Sequence, residues 1–337
     1  WLCPSNMAIV KYWGKKQIQI PMNPSLSITL KVALTSTRIE FNYDPSIRDP
    51  QLGFLFEGKE VPAFANRVRS FIRSLEPYIP VIAHTDLNIV SDNTFPHSSG
   101  IASSASAMGA LALCLVQMES EIHGEADPES KLKKASFIAR LGSGSASRSM
   151  YPGMALWGEA EGWLDSSDEY AIPVTGIHDA FGQLRDTILI VESGQKKVSS
   201  SAGHSQMETN PFAEVRFRQA RENLTALHAV LTDGDWERFI TLMEEEALSL
   251  HALMMTGNPG TLLLQPGTLS ILQKVREFRA DTGCHVGFTL DAGANVHLLY
   301  ANRNAEQVDH FISSELVTYC EAGTLISDGM GNGPSQL

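Results

Sequence analysis

Three stretches of small hydroxyl residues, one basic cluster, one loop arginine and one strand-end aspartate carry the chemistry legible in this 337-residue chain. The run Pro96-His97-Ser98-Ser99-Gly100-Ile101-Ala102-Ser103-Ser104-Ala105-Ser106-Ala107 opens directly into an apolar helix pattern from Met108 to Met118. A helix entered this way has free backbone N–H groups in its first turn. Those donors, with the positive end of the helix dipole, make a seat for phosphate. Gly100 lets the backbone approach a ligand, and Ser98, Ser99, Ser103, Ser104 and Ser106 add hydroxyls at little steric cost. No Gly-Lys-Ser/Thr follows, so this is not the common P-loop. The plainer alternative, a helix with a serine-rich N-cap, is the commoner arrangement.

A basic cluster, Lys11-Tyr12-Trp13-Gly14-Lys15-Lys16, follows a short apolar strand from Asn6 to Val10. Lysines and aromatics around a glycine suit a pocket wall that meets an anion; a solvated basic turn is the alternative. In Gly142-Ser143-Gly144-Ser145-Ala146-Ser147-Arg148-Ser149, one guanidinium stands among small hydroxyls, which suits bidentate capture of a carboxylate or phosphate. An ordinary loop between helices has the same composition. Lys196 to His204 is a third hydroxyl-rich loop. Asp291 ends an apolar strand and precedes Ala-Gly-Ala-Asn. A carboxylate there is costly unless partnered. It either orients or deprotonates a substrate hydroxyl, or it caps its own turn. Together these features indicate a site for an anionic, phosphorylated small molecule, without naming a reaction.

The elements that must position these residues divide the chain in two. The first part begins as a β meander: Leu26 to Leu30 and Thr37 to Tyr43 alternate at the strand period, and Gly53 to Phe56 with Gly58 reads as a hairpin arm. Helices are expected over 67–75, from Met108 and over 130–141, with Gly142 as the C′ residue. The buried-type strand Thr187 to Val191 opens the second part, with the boundary near Asp186, giving units 1–185 and 186–337. Helices over 211–231, 236–255, 269–278 and 305–320, with strands at 285–290 and 296–300, make an α+β sandwich, and 329–337 reads as a frayed tail. A net charge of −12 and a pI near 5.3 argue against nucleic-acid and anionic membrane surfaces. Four scattered cysteines without a CxxC fit a reducing cytoplasmic setting. The histidines show no HxxxH and no clustering with cysteine, which argues against a built-in transition metal.

Four segments in register resemble the mevalonate diphosphate decarboxylase family of the GHMP kinase superfamily: residues 6–15, 96–107, 142–149 and 288–295. The resemblance implies an N-terminal ribosomal-protein-S5-like domain, a C-terminal ferredoxin-like α/β sandwich and an active site in the cleft between them. It implies ATP on the loop Pro96, Ser98, Ser99, Gly100, Ala102, Ser103, Ser104 and Ser106, with Mg2+ carried by the nucleotide. The implied substrate is (R)-5-diphosphomevalonate, converted to isopentenyl diphosphate. The resemblance makes Asp291 the group on the 3-hydroxyl, Arg148 the holder of the carboxylate and Lys11 an electrostatic support. Tyr12, Lys15, Ser145, Ser147, Ser199 and Ser200 are implied to surround the diphosphate. A cytoplasmic homodimer is also implied.

Three positions depart from the family's commoner pattern: Pro24, the Ala-Gly-His ending of the 199–204 loop, and Ser147. The second leaves room for a 5-monophosphate substrate. A mevalonate 3-kinase and a non-catalytic phosphometabolite binder are the competing readings. The second of these does not account for an aspartate facing an anionic substrate.

Overall fold

A computed structural model describes residues 1–95, 101–124, 127–194 and 200–337, with backbone alone at 200–202. The strands of the first part are β1 (Leu2–Val10), β2 (Lys15–Gln17), β3 (Ile20–Pro21), β4 (Ser25–Tyr43), β5 (Leu52–Phe56), β6 (Thr85–Asn93), β7 (Met154–Trp157) and β8 (Ala171–Pro173). Its helices are α1 (Pro62–Ser74), α2 (Ser103–His123) and α3 (Pro128–Gly142). The main sheet runs β5-β6-β4-β7-β8, with β1 also paired to β4. The second part holds β9 (Leu184–Leu189), β10 (Val286–Thr289), β11 (Val296–Ala301) and β12 (Leu325–Gly329) in an antiparallel sheet of order β10-β11-β9-β12. Its helices are α4 (Ser200–Ser205), α5 (Ala213–Asp233), α6 (Trp236–Met255), α7 (Pro266–Thr282) and α8 (Ala305–Phe311). Among the described residues no helix is long and apolar enough to cross a membrane.

The α+β expectation holds, and most elements lie where periodicity places them. The two meander strands are one. β4 runs unbroken for 19 residues, although its pairing with β1 is interrupted between Thr29 and Leu34. The buried Asp328 carboxylate bridges this gap by accepting the N–H groups of Lys31 (2.7 Å), Val32 (2.9 Å) and Ala33 (2.9 Å). The hairpin-arm expectation for β5 fails: it pairs with β6 in parallel, across the α1 crossover. Gly142 is the last residue of α3 rather than its C′ residue. The final helix stops at Phe311, widens into a π turn and then tightens into 3-10 turns.

The expected frayed tail is ordered. β12 pairs with β9, and beyond it Gly331 N–H donates to Thr29 O at 2.7 Å. Leu2 and Ser335 exchange two main-chain bonds, at 2.8 and 3.0 Å. A Cβ on Gly331 would collide with the Leu30 carbonyl, so the glycines allow backbone contact that carries no side-chain pattern.

One apolar core spans both sheets. Met7, Ile9, Leu26 and Ile28 of the first join Ile188 and Leu299 of the second, with Phe239, Ile240 and Met243 of α6. Helices α7 and α8 cover the other face of the second sheet, over Phe288, Leu298 and Tyr300. A shared core this continuous fixes the ends of β1 and β10 relative to each other.

Candidate functional site

β1 carries eight buried residues in succession and delivers Lys11 to the seam between the sheets. The Lys11 ammonium is 2% exposed and lies 3.1 Å from Asp291 Oδ1, just beyond β10. The ammonium also lies 3.6 Å from the Met7 sulfur. Burial lowers the Lys11 pKa, and the Asp291 carboxylate opposes that shift. The Lys11 main-chain N–H donates to Glu246 Oε2 at 2.8 Å. Glu246 is itself held by Arg216, in a two-pronged pair, and by Asn223 Nδ2 at 2.8 Å.

Arg148 sits in a 3-10 segment, Gly144–Met150, rather than in an open loop. A Cβ on Gly144 would meet Trp157 at 2.7 Å and Tyr12 at 2.9 Å, so this segment lies against the β1 end only because residue 144 is glycine. The guanidinium is buried. Nε donates to Ser27 Oγ and Nη1 to Ser25 Oγ, each at 2.5 Å, and Nη2 to Asn6 Oδ1 at 3.4 Å. The hydroxyl-bearing face of β4 is therefore buried, and it serves this arginine. Asn6 Nδ2 clamps the same segment through Ser145 O (2.9 Å) and Ser149 Oγ (2.8 Å). Burial pushes the Arg148 pKa down to about 10, and the Asp291 charge works against it. A guanidinium has five N–H donors, and these three bonds leave two for a ligand.

Lys11, Asp291 and Arg148 all line one cavity of about 540 Å³. Tyr12, Lys15 and Ser145 line it as well, as do Ala102, Ser103 and Ser104 at the start of α2. Ala102, the α2 N-cap, is left-handed (φ 42°) and gives no side-chain cap; its carbonyl accepts the Ala105 N–H at 2.7 Å. Burial pushes the Tyr12 phenol up, keeping it protonated. Two of the expected residues turn away. The Ser106 hydroxyl bonds Thr35 Oγ1 at 2.6 Å and Ser103 O, fastening α2 to β4. Ser147 is fully buried and donates to Gly144 O at 2.9 Å, closing its own turn. Pro96, Ser98, Ser99, Gly100 and Ser199 lie outside the described residues, and of Ser200 only the backbone is described.

Sequence reasoning missed an apolar arm of the cavity, formed by Phe54, Phe56, Phe64 and Val68 beside the Arg67 cation. Phe54 and Phe56 have the alternation of any edge strand, and only the α1 crossover makes them a wall. It also missed Asn6, and it flagged His204 without its contacts. The His204 ring packs on Tyr12 (centroids 4.3 Å) and Trp13 (4.6 Å), and its Nδ1 accepts the Gly14 N–H at 2.9 Å. Trp13 also lines the cavity and is otherwise buried, clustered with Phe217 and Leu250.

Known proteins share this arrangement of elements. Residues 3–171 match the family described as diphosphomevalonate decarboxylase-like N-terminal domain, and residues 187–329 match the mevalonate 5-diphosphate decarboxylase C-terminal domain. Diphosphomevalonate decarboxylase mvd1 of Aspergillus fumigatus is 30% identical over 322 residues, 90% of this chain and 77% of that protein. The mevalonate diphosphate decarboxylase structure from Staphylococcus aureus is 29% identical, with a TM-score of 0.84 over 98% of this chain and 95% of that one. MDDEF in complex with MVAPP, AMPPCP and magnesium is 28% identical, with a TM-score of 0.83 over 98% of this chain and 96% of that one. The architecture is thus the two-part α+β GHMP kinase fold. Matches to both halves of one family, in order along the chain, place this protein in the diphosphomevalonate decarboxylase family.

Proposed function

We propose that this protein catalyses the ATP-dependent decarboxylation of (R)-5-diphosphomevalonate to isopentenyl diphosphate, releasing ADP, phosphate and CO2. The observation that carries the reading is the meeting of Lys11, Asp291 and Arg148 on one cavity that also includes the start of α2. Phosphoryl transfer needs positioning and charge stabilisation more than covalent chemistry by the protein. The α2 N-terminus, with Ser103 and Ser104, suits the phosphates of ATP, and the Phe54–Phe64 arm suits its purine. Mg2+ carried by the nucleotide would supply charge neutralisation for its phosphates. Asp291 orients the 3-hydroxyl and takes its proton. Lys11 holds that carboxylate in place and offsets charge during transfer. The two remaining Arg148 donors hold the substrate carboxylate until it departs as CO2. The proton passes from Asp291 to the phosphate as that group leaves, so the carboxylate is restored and faces the positive charge that develops at the tertiary carbon. Tyr12, Lys15 and Ser145, which line the cavity, would surround the diphosphate, and the family resemblance assigns Ser199 and Ser200 to the same group.

For the units 1–185 and 186–337, the family matches divide between 171 and 187, while β9 of the second sheet begins two residues before the boundary, at Leu184. Four free, buried cysteines support a cytoplasmic setting. The test is incubation of the purified protein with ATP, Mg2+ and either the 5-diphosphate or the 5-phosphate of mevalonate, followed by mass spectrometry. The expected products are isopentenyl diphosphate, ADP and CO2 from the 5-diphosphate. ADP without CO2 would leave a kinase, and turnover confined to the 5-phosphate would change the substrate.

A further inference from the structure

Two buried polar side chains of α6 reach the main chains of the two residues in the proposed reacting pair. Glu246, fully buried, accepts the Lys11 N–H at 2.8 Å. Five residues later, His251 is 2% exposed, and its Nε2 lies 3.1 Å from the Asp291 carbonyl oxygen. A carbonyl only accepts, so Nε2 carries the proton. Burial pushes the His251 pKa down to about 4, so the ring is uncharged near neutral pH and donates through one nitrogen. The same carbonyl takes the Gly293 N–H at 2.7 Å, the bond that closes the turn after β10. The far end of that turn is tied separately: Thr268 Oγ1 donates to Ala294 O at 2.6 Å, and Asn295 Oδ1 accepts the N–H groups of Val191 and Glu192. The His251 bond holds the main chain at the end that bears the carboxylate. A helix rises about 1.5 Å per residue, so the two anchors stand about 7.5 Å apart along one rigid element.

We propose that His251 is a positioning residue for the reaction. It holds the Asp291 main chain in register with Lys11, because the helix that carries it also holds the Lys11 main chain through Glu246. The inference rests on the assignment of Lys11 and Asp291 under Proposed function. A misplacement of about 1 Å at a reacting group can cost up to a hundredfold in rate. The side chain itself makes no step of the reaction; its work is to fix where the carboxylate stands.

The test uses His251→Met, which keeps volume and removes the donor, and His251→Gln, whose amide nitrogen reaches the Nε2 position. Steady-state kinetics with ATP, Mg2+ and 5-diphosphomevalonate are compared with melting temperatures. The expected result for His251→Met is a kcat lowered about ten- to a hundredfold, with both KM values within about twofold of the parent. His251→Gln is expected to restore kcat to within about threefold. Where His251→Met does not fold, His251→Asn replaces it, since its shorter amide reaches only the Nδ1 position. An unchanged kcat in the donor-free variant would overturn the proposal. So would equal losses in the Gln and donor-free variants, because those would report packing alone. Asp291→Asn is measured alongside: if it turns over at the parent rate, the reading of the reacting pair falls and this inference with it. If it is inactive while His251→Met is not, only this inference falls.

Discussion

Two buried ion pairs flank the end of β1, and they are built for different ends. In the Arg216–Glu246 pair both side chains are sealed, at 2% and 0% exposure, and further bonds from Asn223 and the Lys11 main chain fill the carboxylate. In the Lys11–Asp291 pair the cation is equally buried, at 2%, but the carboxylate is 26% exposed and faces the cavity. A sealed pair with every lone pair occupied can only hold helices and strands together. A pair with its cation buried and its anion at a cavity wall keeps a charged acceptor ready for a substrate hydroxyl. Burial of the partner, more than charge, separates structural from reactive ionic groups in this protein.

The contrast can be broken from either side. The largest expected effect lies on the sealed side: Glu246→Ala strands the buried Arg216 charge and lowers unfolding stability by about 3–5 kcal/mol, read by chemical denaturation. Next, Arg148→Ala is expected to cost about 3 kcal/mol or more in kcat/KM, with the larger share in CO2 release. Removing one hydroxyl from its cradle, as in Ser27→Ala, is expected to cost about 1–2 kcal/mol in kcat/KM, since Nε then loses its acceptor.

The smallest effect is in pH. Burial pushes the pKa of His251 down to about 4 and that of His204 down to about 3, the latter with help from the nearby Lys15 charge. The unfolded chain, with histidines near 6.5, therefore binds more protons below that value. Stability is full above about pH 6.5 and falls as the solution is acidified toward pH 4. The ceiling is about 1.4 kcal/mol per pH unit for each histidine. Denaturation midpoints at pH 7, 6 and 5 check this, and His251→Gln should flatten the slope.

How much of this could be read from the chain depends on how far each residue reaches. Lys11, Arg148 and Asp291 stand in short segments of unusual composition, so type and spacing expose them. Helix α6 was legible as an amphipathic helix, but Glu246 and His251 within it were not. Glu246 serves a main-chain group 235 positions away, and nothing near it in the chain signals that role. Ser106 and Ser147 failed in the opposite direction: they share the composition of their neighbours, and only rotation about the helix axis and the 3-10 turn sends their hydroxyls inward. The tail misled because backbone bonds, not side chains, hold 331–335 to the first sheet. The parallel placement of β5 depends on a crossover that alternation does not encode.

The most direct check on the open pair is the rate of ADP formation by Asp291→Asn in a single turnover with ATP, Mg2+ and 5-diphosphomevalonate, measured on protein whose melting temperature matches the parent's. An asparagine retains shape and one acceptor for Lys11 but cannot take the hydroxyl proton as a carboxylate does. The account predicts a rate lower by about a thousandfold, close to 4 kcal/mol. A rate within about threefold of the parent would contradict it.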